Sequence, residues 1–379
     1  MYRMKSVGIA AAMAMTAMPA LAGTATRAAF GTLPDGRAVE AVTLDNGKGV
    51  KARILTYGAL LQSLETPDRN GRSADIVLGY ADAATYQTKP NYFGATVGRY
   101  ANRIAGGHFT LDDKTYQLPL NDKTNSLHGG PEGFDKRLWQ IVAVKSGPDA
   151  SVTLAYTSPD GEEGYPGTLH ITATYTLTAA NELKLDYRAT TDKPTIVNIS
   201  NHSFFNLAGE ASGRPILDAR MTIPAERYTP VDVKLIPTGE LRPVAGTPFD
   251  FRTPHIIGER IHDGTDEQIR FAKGYDQNFI VTPRVTSDVH LMAKVEDPAT
   301  GRVLEVLSNQ PGVQVYSGNF LDGSAVGKSG HSYRQSDGLA LEPQLFPDTP
   351  NQPAFGSARL DPGQTYENLI VYRFSVAAR

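Results

Sequence analysis

The chain has 379 residues, no cysteine and a formal charge of −3. Lack of thiols excludes disulfide staples, a cysteine nucleophile and thiolate metal sites. Mild acidity, without a basic run or patch, excludes nucleic acid and other polyanions as natural partners.

The first residues read as a leader. MYRMK carries Arg3 and Lys5, SVGIAAAMAMTAMPALA follows as a weakly apolar run, and Ala20 and Ala22 are the small residues of a cleavage site. This pattern predicts a secretory signal over residues 1–22, cut after Ala22. The expected location is exported, and periplasmic in a Gram-negative source. The run is too short and alanine-rich for an anchor, so the mature chain is expected to be free of the membrane. Loss of Arg3 and Lys5 moves the formal charge from −3 to −5.

Residues 23–379 read as a single domain. LHITATYTL (169–177) alternates apolar and polar residues, and NELKLDY (181–187), SVTLAY and ENLIVYRFSV do the same. Period-two alternation marks half-buried antiparallel strands. Asn46-Gly47, Asn70-Gly71 and Asp160-Gly161 supply turns. The best helical stretch is a short piece around 258–264. Glycines and prolines, 36 and 25 of them, are spread along the chain without forming a linker. The fold class expected is all-β, one large antiparallel β-sandwich. Segments 98–137, 198–209 and 338–356 read as long loops, where binding groups concentrate.

Several motifs fail. GSAVGKS (323–329) has three residues between its glycines where a phosphate loop has four, and no helix is expected after it. HExxH, GxSxG and a strand-to-helix GxGxxG are absent. The eight histidines show no pair at metal-ligand spacing, so no metal site is expected.

What remains is a scatter of polar groups. Asn102-Arg103 precedes a glycine-rich turn, and His128 is followed by two glycines. Asp276 follows Gly274-Tyr275, and Gln314 and Tyr316 share a strand face. Glu342 ends an apolar run before Pro343, and His202 stands among Asn and Ser in VNISNHSFFNLAG. Taken singly, each has a plain structural use: ion pair, turn filler, turn cap, solvated strand residue, edge charge, core histidine. Spacing alone does not bring them together.

Read together and in order, NYFGATVGRYANRIAGG, NSLHGGPEGFDKRLW, VNISNHSFFNLAG, PGVQVYSGNFLDG and LEPQLFPDTPNQP resemble the aldose 1-epimerase (galactose mutarotase) family. The resemblance runs from about residue 30 to the C-terminus. It implies a galactose-mutarotase-type β-sandwich that interconverts the α and β anomers of free aldoses. His202 matches the family's catalytic histidine and Glu342 its catalytic glutamate. Asn102, Arg103, His128, Asp276 and Gln314 match sugar-binding positions. The implied chemistry has Glu342 taking the C1 hydroxyl proton while His202, protonated at the start, gives one to the ring oxygen. Asn and Ser beside His202 are expected to fix its ring. No metal or organic cofactor is needed, and the partner is a monosaccharide. The assembly expected is a monomer or homodimer. The family pattern often reads E-T-Q-H-F-P-D, so Pro343 and Leu345 are expected to alter the loop beside the base. A sugar-phosphate epimerase would need clustered cations. A glycosidase would use two carboxylates, such as Asp276 and Glu342. A sugar-binding module would need neither His202 nor Glu342.

Overall fold

The computed structural model describes Met1 and residues 23–378. The expected leader, Met1 apart, lies outside the described residues.

Three antiparallel sheets organise the domain. Thr24–Thr32, Ala38–Asp45, Lys51–Leu55, Leu61–Pro67 and Ser73–Asp75 form a five-stranded meander in chain order. The predicted turns close its hairpins, with Gly47 and Gly71 at φ 68° and 76°, a region costly for other residues.

The second sheet has nine strands. Gln140–Lys145, Ala150–Ser158, Leu169–Leu177 and Glu182–Thr191 pair in succession. Tyr366–Val376 comes next, and Arg302–Ser308, His290–Glu296, Arg220–Thr222 and His255–Ile256 follow. Tyr366–Val376, late in sequence, is thus central in space, bonded to Glu182–Thr191 on one side and Arg302–Ser308 on the other. Every second residue from Leu169 to Leu177 is buried, as the alternation predicts.

The third sheet runs Phe204–Phe205, Leu339–Gln344, Gly312–Tyr316, Asp276–Ile280, Arg227–Thr229, Arg242–Pro243. One face supplies Leu339, Leu341, Val313, Val315 and Phe279 to a core shared with Leu154, Ile171, Tyr187, Leu304, Ile370 and Tyr372 of the large sheet. Because strand side chains alternate, Asp276, Asn278, Gln314, Glu342 and Gln344 emerge on the opposite face.

The sequence reading needs two corrections here. Residues 258–264 are not an α-helix: a 3₁₀ turn covers Ile257–Glu259, and the nearest α-helix follows at Glu267–Ala272, capped by the Asp266 carboxylate on the Gln268 and Ile269 amides. The supposed loops carry strands: that from 338 begins as Leu339–Gln344, buried along its whole length, 198–209 holds Ser200–His202 and Phe204–Phe205, and 98–137 holds Arg103–Ile104, His108–Leu111, Lys114–Gln117 and Ser126–Leu127.

Candidate active site

A cleft of about 200 Å³ opens where the third sheet meets the loops. Asn102, Arg103, His128, His202, Asp276 and Glu342 line it, with Tyr92, Phe204, Tyr316 and Phe320. Six of the seven site residues expected from the sequence therefore line one cleft. Gln314 stands behind it, donating from Nε2 to Asp276 Oδ1 at 2.7 Å.

His202 ends the short strand Ser200–His202, which pairs with Ala95–Val97 and sets His202 opposite Ala95. Its polar neighbours act on the backbone rather than on the ring, contrary to the sequence expectation. Asn201 Nδ2 donates to the Gly94 carbonyl, Ser200 Oγ to the Pro343 carbonyl, and Asn201 Oδ1 accepts from the Ser203 amide and hydroxyl. The ring is held by aromatic faces: Phe204, His128 and Tyr92 have centroids 4.9, 5.0 and 5.7 Å away.

Glu342 stands opposite Gln314, two residues beyond Ala340, the partner of Phe204. Its Oε1 is 3.5 Å from His202 Nε2, with side-chain exposures of 2% and 6%. Burial pushes the Glu342 carboxyl well above its ordinary range; Asp276 pushes the same way, and Arg103 opposes. Burial lowers the His202 imidazole to about 4. Burial therefore biases both groups toward their neutral forms. Desolvation thus works against the His202 that the sequence reading expects to be charged at the start.

His128 takes φ 50° and Asn102 φ 64°. The His128 amide donates to the Asn102 carbonyl, and the Asn102 amide donates to His128 Nδ1 at 3.1 Å. An Nδ1 that accepts leaves the neutral ring's proton on Nε2. His128 is held low by burial, by His202 and by Arg103, so it is a neutral donor. Room for it depends on Gly129, at φ 90°, where a Cβ would sit 1.9 Å from the Gly98 carbonyl oxygen.

Arg103 is fixed by an acid that the sequence reading missed. Its Nε donates to Asp122 Oδ2 at 2.7 Å, and its Nη1 stands 4.0 Å from Asp276 Oδ2. Burial raises Asp276, while Arg103 and Gln314 hold it down. Tyr92 was missed as well. Only its place before the Phe-Gly-Ala strand start hinted at a role.

Pro343 and Leu345 do not touch the cleft. They alternate with Glu342 and Gln344, and Leu345 packs with Tyr100 and Ile104 in a satellite core. The departure from the family pattern is therefore absorbed away from the base.

His128, His202 and Glu342 present potential metal-ligand atoms within 4.8 Å of one another. A metal would require His128 to reverse its tautomer or lose the Asn102 bond. The donor set suits proton transfer better than coordination.

The sequence profile described as Aldose 1-epimerase matches residues 40–373. The chain is 46% identical to human galactose mutarotase over 353 residues, covering 93% of this chain and 99% of that one. It is 40% identical to the aldose 1-epimerase of Escherichia coli K12, over 90% of this chain and 96% of that one. Among solved structures, galactose 1-epimerase from Lactobacillus acidophilus superposes with a TM-score of 0.82 at 29% identity, covering 93% of this chain and 99% of that one. The chain therefore belongs to the aldose 1-epimerase family of isomerases.

Proposed function

We propose that the protein interconverts the α and β anomers of a free aldose such as galactose or glucose, with Glu342 as base and His202 as acid. The observation that carries this reading is the buried His202–Glu342 pair, 3.5 Å apart on the wall of a monosaccharide-sized cleft.

The pair holds one proton in its neutral form. Moving that proton from Glu342 to His202 gives the reactive arrangement, carboxylate beside imidazolium. Arg103 favours the ionised carboxylate, and a sugar hydroxyl donating to it would do the same. Glu342 then takes the proton from the C1 hydroxyl. The C1–O5 bond breaks as the C1=O1 bond forms, and O5 receives the proton of His202. Coupling the transfers avoids a free alkoxide. Rotation about C1–C2 turns the other carbonyl face to O5, and reclosure runs the same transfers backwards. Asp276, Arg103, Asn102 and the His128 Nε2–H are assigned to the remaining oxygens. Gln314 serves by holding Asp276.

The test is polarimetry of freshly dissolved α-D-galactose and α-D-glucose with residues 23–379, beside His202→Asn and Glu342→Gln. The expected result is acceleration by the parent and loss in both variants. A parent no faster than buffer would end the proposal.

A further inference from the structure

The face of the third sheet that carries Glu342 continues away from the cleft as a polar row. Cross-strand register sets Thr229 opposite Asn278, Asn278 opposite Gln314, and Gln314 opposite Glu342. Gln344 follows two residues after Glu342, on the same face, opposite Gly312. All five side chains are buried, none more than 3% exposed. Yet Thr229 Oγ1, both amide atoms of Asn278, both amide atoms of Gln344, Gln314 Oε1 and Glu342 Oε2 have no protein partner. Orphaned buried polar atoms are rare in folded proteins, and here seven share one face of adjacent strands.

Gly312 shapes this floor. A Cβ there would meet Asn278 Oδ1 at 2.4 Å and Phe346 Cδ1 at 2.9 Å. The Asn278 amide therefore lies across Gly312, toward the strand that carries Gln344. The row holds both donors and acceptors: two amide nitrogens and a hydroxyl give, and the carbonyl and carboxyl oxygens take. A buried water needs two to four such partners.

We propose that Asn278, Gln344, Thr229 and Gln314 hold a file of buried water beneath the sugar cleft. Its last member donates to Glu342 Oε2. Asn278 and Gln344 are then positioning residues: through water they fix the carboxyl plane so that Oε1 faces His202, and they help to stabilise the ionised form. Other groups that bear on Glu342 are His202 at 3.5 Å, Asp276 and Arg103. Tyr316 and Tyr372 each feel its charge, and His128 is within reach. Each is retained in the variants below.

The inference rests on Glu342 being the proton acceptor of the proposed function, and the test has two arms. The first is a high-resolution crystal structure of the sugar-free parent. The expected result is an ordered water bonded to Glu342 Oε2 and linked to the Asn278 or Gln344 amide. Amides satisfied by protein atoms, with Oε2 dry, would overturn the proposal. The second arm is the pH profile of Gln344→Met, with Asn278→Leu as the substitute should that variant fail to fold. Loss of the donor makes the carboxylate harder to form. The alkaline limb of kcat should rise by about one pH unit. The value of kcat should fall on the order of ten- to a hundredfold, with KM changed less than about twofold. An unmoved limb, with kcat and KM altered together, would mark a merely structural role and sink the idea. A parent without mutarotase activity would remove the proposed function while leaving the crystallographic arm intact.

Discussion

Glu342→Gln should stabilise the fold at neutral pH while destroying activity. The Glu342 side chain is 2% exposed, and its Oε2 has no protein partner. Burial raises its folded pKa above the ordinary 4.5. Below that ordinary value both folded and unfolded chains hold the proton, and the group costs nothing. As pH rises, the unfolded chain ionises while the fold keeps its proton. The folded state then binds more protons, so stability falls with rising pH. The loss is about 1.4 kcal/mol for each pH unit across that window. Glutamine cannot ionise and escapes this loss. Urea unfolding of parent and variant at pH 5, 6 and 7 should therefore show an advantage for the variant that widens at each step. Polarimetry should show activity reduced on the order of 10²–10⁴-fold. A stability difference that is independent of pH would refute the reasoning. It would mean that Glu342 is ionised in the sugar-free fold beside a neutral His202.

Four further outcomes follow from the same geometry. His202, lowered from 6.5 to about 4 by burial, should let kcat hold down to roughly pH 4 before a second proton silences the pair; a limb between pH 6 and 7 would contradict this. The same shift makes the unfolded chain bind its proton first, so the His202 contribution to stability falls as pH drops from 6.5 toward 4 and offsets the opposite Glu342 contribution; His202→Asn should therefore gain on the parent across that window in thermal unfolding. Gln314→Leu removes the 2.7 Å donor to Asp276 and should raise KM about tenfold, the equivalent of one charged hydrogen bond, with kcat changed much less in initial-rate polarimetry. Gly129→Ala drives a Cβ against the Gly98 carbonyl and should cost at least about 1–3 kcal/mol by denaturant titration, with activity lost as His128 shifts.

The large sheet was legible because its strands bury one face. From Leu169 to Leu177 the alternation in sequence is the alternation in space. The strand bearing Glu342 was not, because LALEPQ is buried on both faces, and two-sided burial erases the period that betrays a strand. The proline at 343 strengthened the misreading. His202 was found through its motif, but its Asn and Ser neighbours were misassigned, since sequence does not reveal whether a polar group faces a ring or a backbone amide. Asp122 gave no signal: its use as the anchor of Arg103 exists only once the strands Arg103–Ile104 and Ser126–Leu127 pair. The short helix Glu267–Ala272 is too brief for a helical period to show.

The central place of Tyr366–Val376 has a consequence for biosynthesis. Until that strand emerges from the ribosome, Glu182–Thr191 and Arg302–Ser308 each present an unpaired edge where their shared neighbour belongs. The nascent chain thus carries two half-sheets that can pair with other chains but not yet with each other. Closure must wait for nearly all of the domain to be made. The cleft, whose base rides on a sheet packed against that strand, forms in the same late step.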